Sequence, residues 1–279
     1  MKDEFKTEPV QLLPVLVSLV FGILCAYLVL TSSVSIYPVT PFPEGLGSLA
    51  NGLYFVILAG IGATLLYLLI KRRKLGLISL ITGFAITVAV LMLSIIYLSA
   101  AFSLLNVPST TALILTLAVS ASVTVSVDFA IFKVQGRISN VVILLVGGAL
   151  GAFLGVSIPI TSAILILAFL AIYDVFAVYR GPVGKIAQRG LEELRGLSFS
   201  FRDVQMGLGD LTFYSMLTGL VLANAGPIGV SIVFCAASTI GILVGVLLVL
   251  KMLERKGMFP GLPFPVFLGL LPLIVYFLR

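Results

Sequence analysis

The chain has 279 residues, 60% of them hydrophobic and 10% charged, with a mean hydropathy of +1.25 and a formal net charge of +6. That balance lies far from the roughly 25% charged residues of soluble domains, so the chain reads as an integral, multi-pass membrane protein whose basic excess reports topology and needs no nucleic-acid partner. With no His and only two Cys, a nucleophile–imidazole pair, an HExxH zinc site and a Cys-ligated metal are excluded, and no metal or organic cofactor is expected.

Apolar windows recur at 10–31, 51–70, 76–100, 110–127, 139–156, 159–179, 206–224, 228–250 and 261–278. Each approaches the roughly 20 residues needed to cross about 30 Å of hydrocarbon. Lipid offers the backbone no partners, so each block satisfies itself as a helix, and the blocks are too long for the alternating strands of a barrel. The expected fold is all-α: one polytopic domain over 1–279, a bundle of nine transmembrane helices in the lipid bilayer, the plasma membrane for a prokaryotic chain.

The N-terminal MKDEFKTE carries both signs of charge and leads into an apolar stretch too long for an ordinary signal-peptide core, so it is read as preceding a retained first span. From the N-terminus through each connection to the C-terminus the Lys and Arg counts are 2, 0, 4, 0, 2, 0, 5, 0, 3 and 1, so 16 of 17 fall on alternate connections. Basic residues are retained in the cytoplasm. The N-terminus is therefore expected to be cytoplasmic and the C-terminus extracytoplasmic, with KRRK at 71–74 and the 180–205 connection cytoplasmic. Cys25 and Cys235, in spans one and eight, read as small buried thiols.

Span four contains SASVTVSV at 120–127, whose small hydroxyls bond their own helix or a neighbour. Asp128 follows and is read as an interfacial charge. In span five, Gly147, Gly151 and Gly155 form a ridge at four-residue spacing, which lets another helix approach closely. Spans six and seven each carry one carboxylate inside apolar sequence, Asp174 in AILILAFLAIYDVFAVY and Asp210 in MGLGDLTFYSMLTGLVLA. A charge in mid-membrane costs about 2.5–3.5 kcal/mol on insertion scales and marks function. Asp174 precedes Arg180 by six residues and Asp210 follows Arg202 by eight, which puts both one to two turns below the cytoplasmic boundary. Adjacent antiparallel helices bring such groups face to face. Two carboxyls that close share one proton, leaving one as base for water and the other as acid toward a scissile carbonyl. Depth and charge alone leave proton or ion handling in a transporter, or a cation leak channel, as an alternative.

The local sequences resemble the presenilin family of GxGD intramembrane aspartyl proteases, to which signal peptide peptidases also belong. Tyr173-Asp174 looks like the first catalytic motif of that family and Gly207-Leu208-Gly209-Asp210 like its second. Pro260-Gly261-Leu262-Pro263 resembles its Pro-Ala-Leu motif with glycine in place of alanine. The three occur in the family's order, on spans six, seven and nine. The resemblance implies an aspartic endopeptidase that cuts transmembrane protein substrates, with Asp174 and Asp210 catalytic. It also implies that Tyr173, Gly207, Leu208, Gly209, Pro260, Gly261, Leu262 and Pro263 bind substrate, in a catalytic core of 159–224 completed by 260–278. Phe213-Tyr214-Ser215 and the orientation favour the presenilin branch. A prepilin-type peptidase also uses GxGD, but the Tyr-Asp placement and the Pro-Gly-Leu-Pro element argue against it. Homo-oligomers, accessory subunits and self-cleavage within 180–205 stay open.

Gly207 and Gly209 clear side chains from the approach to Asp210, which permits unwound backbone there. Pro260 and Pro263 bracket a segment that cannot be regular helix throughout. Leu197-Ser198-Phe199-Ser200-Phe201 alternates with period two, a strand signal of ordinary length. Presenilin-like enzymes use a strand at this place to hold an unwound substrate. Leu197, Phe199 and Phe201 are thus expected in substrate binding, with the Ser200 amide as a ladder donor.

Overall fold

The computed structural model describes residues 7–134, 136–181, 196–201 and 204–278. Among these are nine α-helices: α1 (Leu13–Thr31), α2 (Gly47–Lys71), α3 (Leu75–Leu104), α4 (Ser109–Phe129), α5 (Arg137–Ser157), α6 (Ile160–Tyr179), α7 (Leu208–Asn224), α8 (Ile228–Lys256) and α9 (Pro263–Phe277). A two-stranded antiparallel hairpin, β1 (Ser198–Phe201) and β2 (Val204–Gly207), lies between α6 and α7. A 3-10 turn, Pro9–Leu12, leads into α1, and a π-turn, Ala130–Val134, continues α4.

Each expected span is helical, but two are shorter than their apolar windows. Seven spans are long and apolar enough to cross a membrane, whereas α7 has 17 residues and α9 has 15. At 1.5 Å per residue these cover about 25 and 22 Å, against about 30 Å of hydrocarbon. The expected starts at 206 and 261 give way for identifiable reasons. Residues 204–207 are committed to the hairpin, and 260–262 stay non-helical until Pro263 takes the first turn of α9, where a missing N–H is tolerated.

Helix α7 is the centre of the bundle, buried over most of its circumference through Leu211, Tyr214, Ser215, Met216, Leu217 and Leu220. Such a helix needs neighbours on every side, and α1, α5, α6, α8 and α9 supply them. The partner of the glycine ridge is α7 itself. A Cβ on Gly151 would stand 2.6 Å from that of Ser215, and one on Gly155 would stand 2.7 Å from the Leu220 amide nitrogen. A hydroxyl fastens the same contact, Ser215 Oγ donating to the Gly148 carbonyl at 2.7 Å, and others tie α5 to α1 and α3, with Ser18 Oγ donating to the Leu144 carbonyl at 2.9 Å and Tyr97 to that of Ala149 at 2.6 Å. In lipid, helix association rests on close packing and such bonds. Gly151→Leu should therefore drive α5 off α7 and, at about 1–3 kcal/mol or more of overpacking, lower the thermal unfolding midpoint in detergent by roughly 5 °C. An unchanged midpoint would show the ridge to be slack.

Three hydroxyls of the 120–127 run bond their own helix, Thr124 donating to the Ser120 carbonyl at 2.8 Å, Ser122 to Ala118 at 2.9 Å and Ser126 to Ser122 at 2.8 Å, while Ser120 Oγ is buried without a partner among the described residues. Asp128, read as an interfacial charge, has a partner on the neighbouring helix. It is half-buried against α3, with Thr87 Oγ1 at 2.7 Å from its Oδ2, because α3 runs alongside α4 at that level. Cys25 and Cys235 are buried free thiols.

Candidate active site

Asp174 stands five residues before the end of α6, and Asp210 is the third residue of α7. Both are half-buried. What joins them is the non-helical stretch ahead of α9. The Leu262 N–H donates to Asp174 Oδ2 at 2.9 Å, and the Gly261 amide addresses the same carboxyl. On its other side Gly261 faces Asp210 so closely that a Cβ there would lie 3.2 Å from Oδ2 and 3.3 Å from Oδ1. Glycine, where the resembled motif has alanine, leaves that carboxyl its room. The two carboxyls are within electrostatic reach of each other.

The backbone around this floor is held from several directions. Pro260 is buried, and Phe259 stacks on Phe264 with ring centroids 5.6 Å apart. Helix α9 is seated on α8 by Ser238 Oγ, which donates to the Gly269 carbonyl at 2.7 Å, and by Gly245, whose bare Cα admits Pro265. Gly207 is extended, with φ −76° and ψ 147°. Its amide reaches Asp210, and a Cβ on it would lie 3.7 Å from Oδ2. The expected unwound approach to Asp210 thus takes the form of a strand running straight into a helix.

Other predicted residues lie elsewhere. A Cβ on Gly60 of α2 would lie 3.7 Å from the Tyr173 ring, one on Gly147 3.1 Å from the Leu208 side chain, and one on exposed Gly209 3.9 Å from Phe213. Leu197, Phe199 and Phe201 turn inward to apolar neighbours. Leu197 packs against Ile70 and Ile78, Phe199 is buried in the main core, and Phe201 is half-buried against it. A strand half-covered by a bundle must put its apolar alternate residues inside, so these three anchor the hairpin.

The register pairs Ser198 with Gly207, Phe199 with Met206, Ser200 with Gln205 and Phe201 with Val204. The ladder continues in Leu208 N–H to Leu197 O at 2.7 Å. Bonded pairs alternate in an antiparallel ladder, so 199–206 and 201–204 exchange bonds, and the backbone groups of Ser200 and Gln205 point outward. The Ser200 amide thus points away from β2, toward the outer edge of β1. Its carbonyl accepts from Asn140 Nδ2 at 2.6 Å, which lays the outer edge of β1 against α5. The open edge belongs to β2, at exposed Gln205, five residues ahead of Asp210.

One residue went unassigned in the sequence. Tyr214, one turn beyond Asp210 and fully buried, donates its hydroxyl to the Gly261 carbonyl at 2.8 Å. Its signal is a polar aromatic at i+4 from a buried carboxylate, hence on the same helix face. Much of the 180–205 connection, including Lys185, Arg202 and any self-cleavage site within 182–195, lies outside the described residues.

No family model matches the chain. Presenilin-B of Dictyostelium discoideum is 34% identical over 125 residues, which cover 41% of this chain and 25% of that protein. The chain thus spans about a quarter of the length of the curated relative it matches. Two solved structures of a presenilin family intramembrane aspartate protease, in C222 and P2 crystal forms, superpose with TM-scores of 0.65 and 0.61 at 20% and 21% identity. Each comparison covers 95% of this chain, and 96% and 95% of the other. The fold is presenilin-like over nearly its whole length.

Proposed function

We propose that this chain is an intramembrane aspartic endopeptidase that hydrolyses peptide bonds of transmembrane helices with Asp174, Asp210 and one water, without metal or organic cofactor. The observation that carries this reading is the convergence of two carboxyls, from α6 and α7, on one short backbone segment, Gly261–Leu262. With one proton between them, the ionised carboxyl takes a proton from water as its oxygen attacks the scissile carbonyl carbon. The protonated carboxyl gives its proton to the carbonyl oxygen. The carboxyl that took the water proton then gives it to the leaving nitrogen while a hydroxyl of the tetrahedral gem-diol returns its proton to the other carboxylate, so the C–N bond breaks to an acid and an amine and the pair again shares one proton.

The substrate must arrive extended, because the peptide bonds of a helix are already hydrogen-bonded and shielded. The β2 edge at Gln205 supports that step by offering an outward N–H and C=O at the entrance to α7. The basic-residue distribution supports a cytoplasmic N-terminus and an extracytoplasmic C-terminus, with the carboxyls near the cytoplasmic face. We take 1–279 as one domain, with 159–224 and 260–278 forming the site.

The test pairs two measurements on the purified protein. Single-span transmembrane reporters are incubated with it in detergent and the products mapped by mass spectrometry, while ion flux is followed in liposomes. Paired new termini within the reporter span are expected, without flux above empty liposomes. Flux without cleavage would make the chain a transporter or channel.

A further inference from the structure

We infer that Tyr214 is a positioning residue of the site: its hydroxyl holds the Gly261–Leu262 peptide group in the orientation that delivers the Leu262 N–H to Asp174. This rests on the protease reading above. The Gly261 carbonyl and the Leu262 amide belong to one planar unit, and in a trans peptide they point in opposite directions. Here both ends are engaged, the carbonyl by Tyr214 at 2.8 Å and the amide by Asp174 at 2.9 Å. One rigid plane therefore spans from α7 to α6, and it passes Asp210, whose carboxyl lies against Gly261.

Besides these two bonds, the segment is steadied by the Gly261 N–H, which addresses Asp174 but belongs to the preceding peptide group. Prolines at 260 and 263 bring no N–H of their own, and glycine at 261 has the freest backbone of any residue. The first turn of α9 secures the Leu262 carbonyl, which accepts from Val266 at 3.0 Å, but not the peptide group before it. Among the described residues, the Tyr214 hydroxyl is the partner that orients the Gly261 carbonyl. Since Tyr214 and Asp210 stand one turn apart on α7, the helix that carries one carboxyl also sets the backbone donor of the other. A phenylalanine at 214 would fill the same buried volume and leave the plane free to rotate.

The experiment compares wild type and Tyr214→Phe in detergent by amide hydrogen exchange and by steady-state cleavage of a short extended peptide. Exchange at Leu262 is expected to rise about tenfold while exchange in α8 and the unfolding midpoint stay level. With kcat reduced on the order of 10- to 100-fold and KM unchanged, the loss lies in geometry within the bound state. Unchanged exchange at Leu262, or faster exchange with unaltered kcat, overturns the assignment. So does exchange raised throughout the bundle, which would make Tyr214 a packing residue. A wild type that cleaves no peptide or reporter overturns the protease reading instead, and the exchange result then upholds or overturns the backbone clamp by itself.

Discussion

Asp174→Asn and Asp210→Asn should each abolish peptide-bond cleavage while leaving the bundle folded. Asparagine matches aspartate in volume and retains one carbonyl oxygen, so in Asp174→Asn the Leu262 N–H still finds an acceptor at its present place. What it lacks is a titrating oxygen. A dyad that shares one proton works only if one member accepts a proton from water while the other supplies one, and either substitution removes half of that exchange. General acid–base catalysis contributes about 10²–10⁴-fold per group, so turnover should fall by about two to four orders of magnitude. Stability should stay level or rise, because an ionisable group removed from water is costly and its amide replacement less so. Product formation and thermal unfolding of both variants check this, and wild-type turnover by either one removes the dyad.

The second large effect is expected at Gln205. Its N–H points away from β1 at an exposed position, so proline there removes a donor from the open edge and leaves the β1–β2 ladder intact. A substrate helix that unwinds beside Asp210 exposes amides costing several kcal/mol each in hydrocarbon unless partners replace them. Losing one such partner should cut cleavage of a transmembrane reporter by one to two orders of magnitude at about 1.4 kcal/mol per tenfold. A short peptide already extended in water pays less for strand addition and should lose less. Cleavage of both substrate types by Gln205→Pro and wild type is the measurement, and equal rates on the helical reporter would remove strand addition from the mechanism. Ser200→Pro, by contrast, acts on an edge that Asn140 already occupies.

Much of this was legible in the sequence because bilayer physics is severe. Uninterrupted apolar blocks can only be helices, two carboxylates within them stand out, and alternation in Leu197–Phe201 announced β1. The glycine ridge announced a close neighbour, though nothing local to span five could say that it was α7. The errors cluster where one residue serves two demands. Leu197, Phe199 and Phe201 have the period of a strand, but period two does not tell which face a bundle covers, and it covered theirs. Strand pairing also decided which backbone groups point outward, and that parity follows from the register, which no single strand encodes. The i+4 spacing put Tyr214 on the Asp210 face of α7, but its partner, the Gly261 carbonyl, comes from a segment 47 residues away and is not encoded locally.

The two short helices, α7 and α9, are neighbours, and both begin at the carboxyl end of the site. Together they leave about 5–8 Å less apolar height there than a full span requires. Helix α7 is enclosed by its neighbours, so the deficit that lipid meets is that of α9, and lipid meets it only by thinning toward the end where α9 begins. A substrate helix that drifts against this face leaves hydrocarbon several ångströms early. On the protease reading proposed above, its last turn would stand in a wetter medium where opening an amide is cheap, and the membrane, thinned beside α9, would do part of the unwinding.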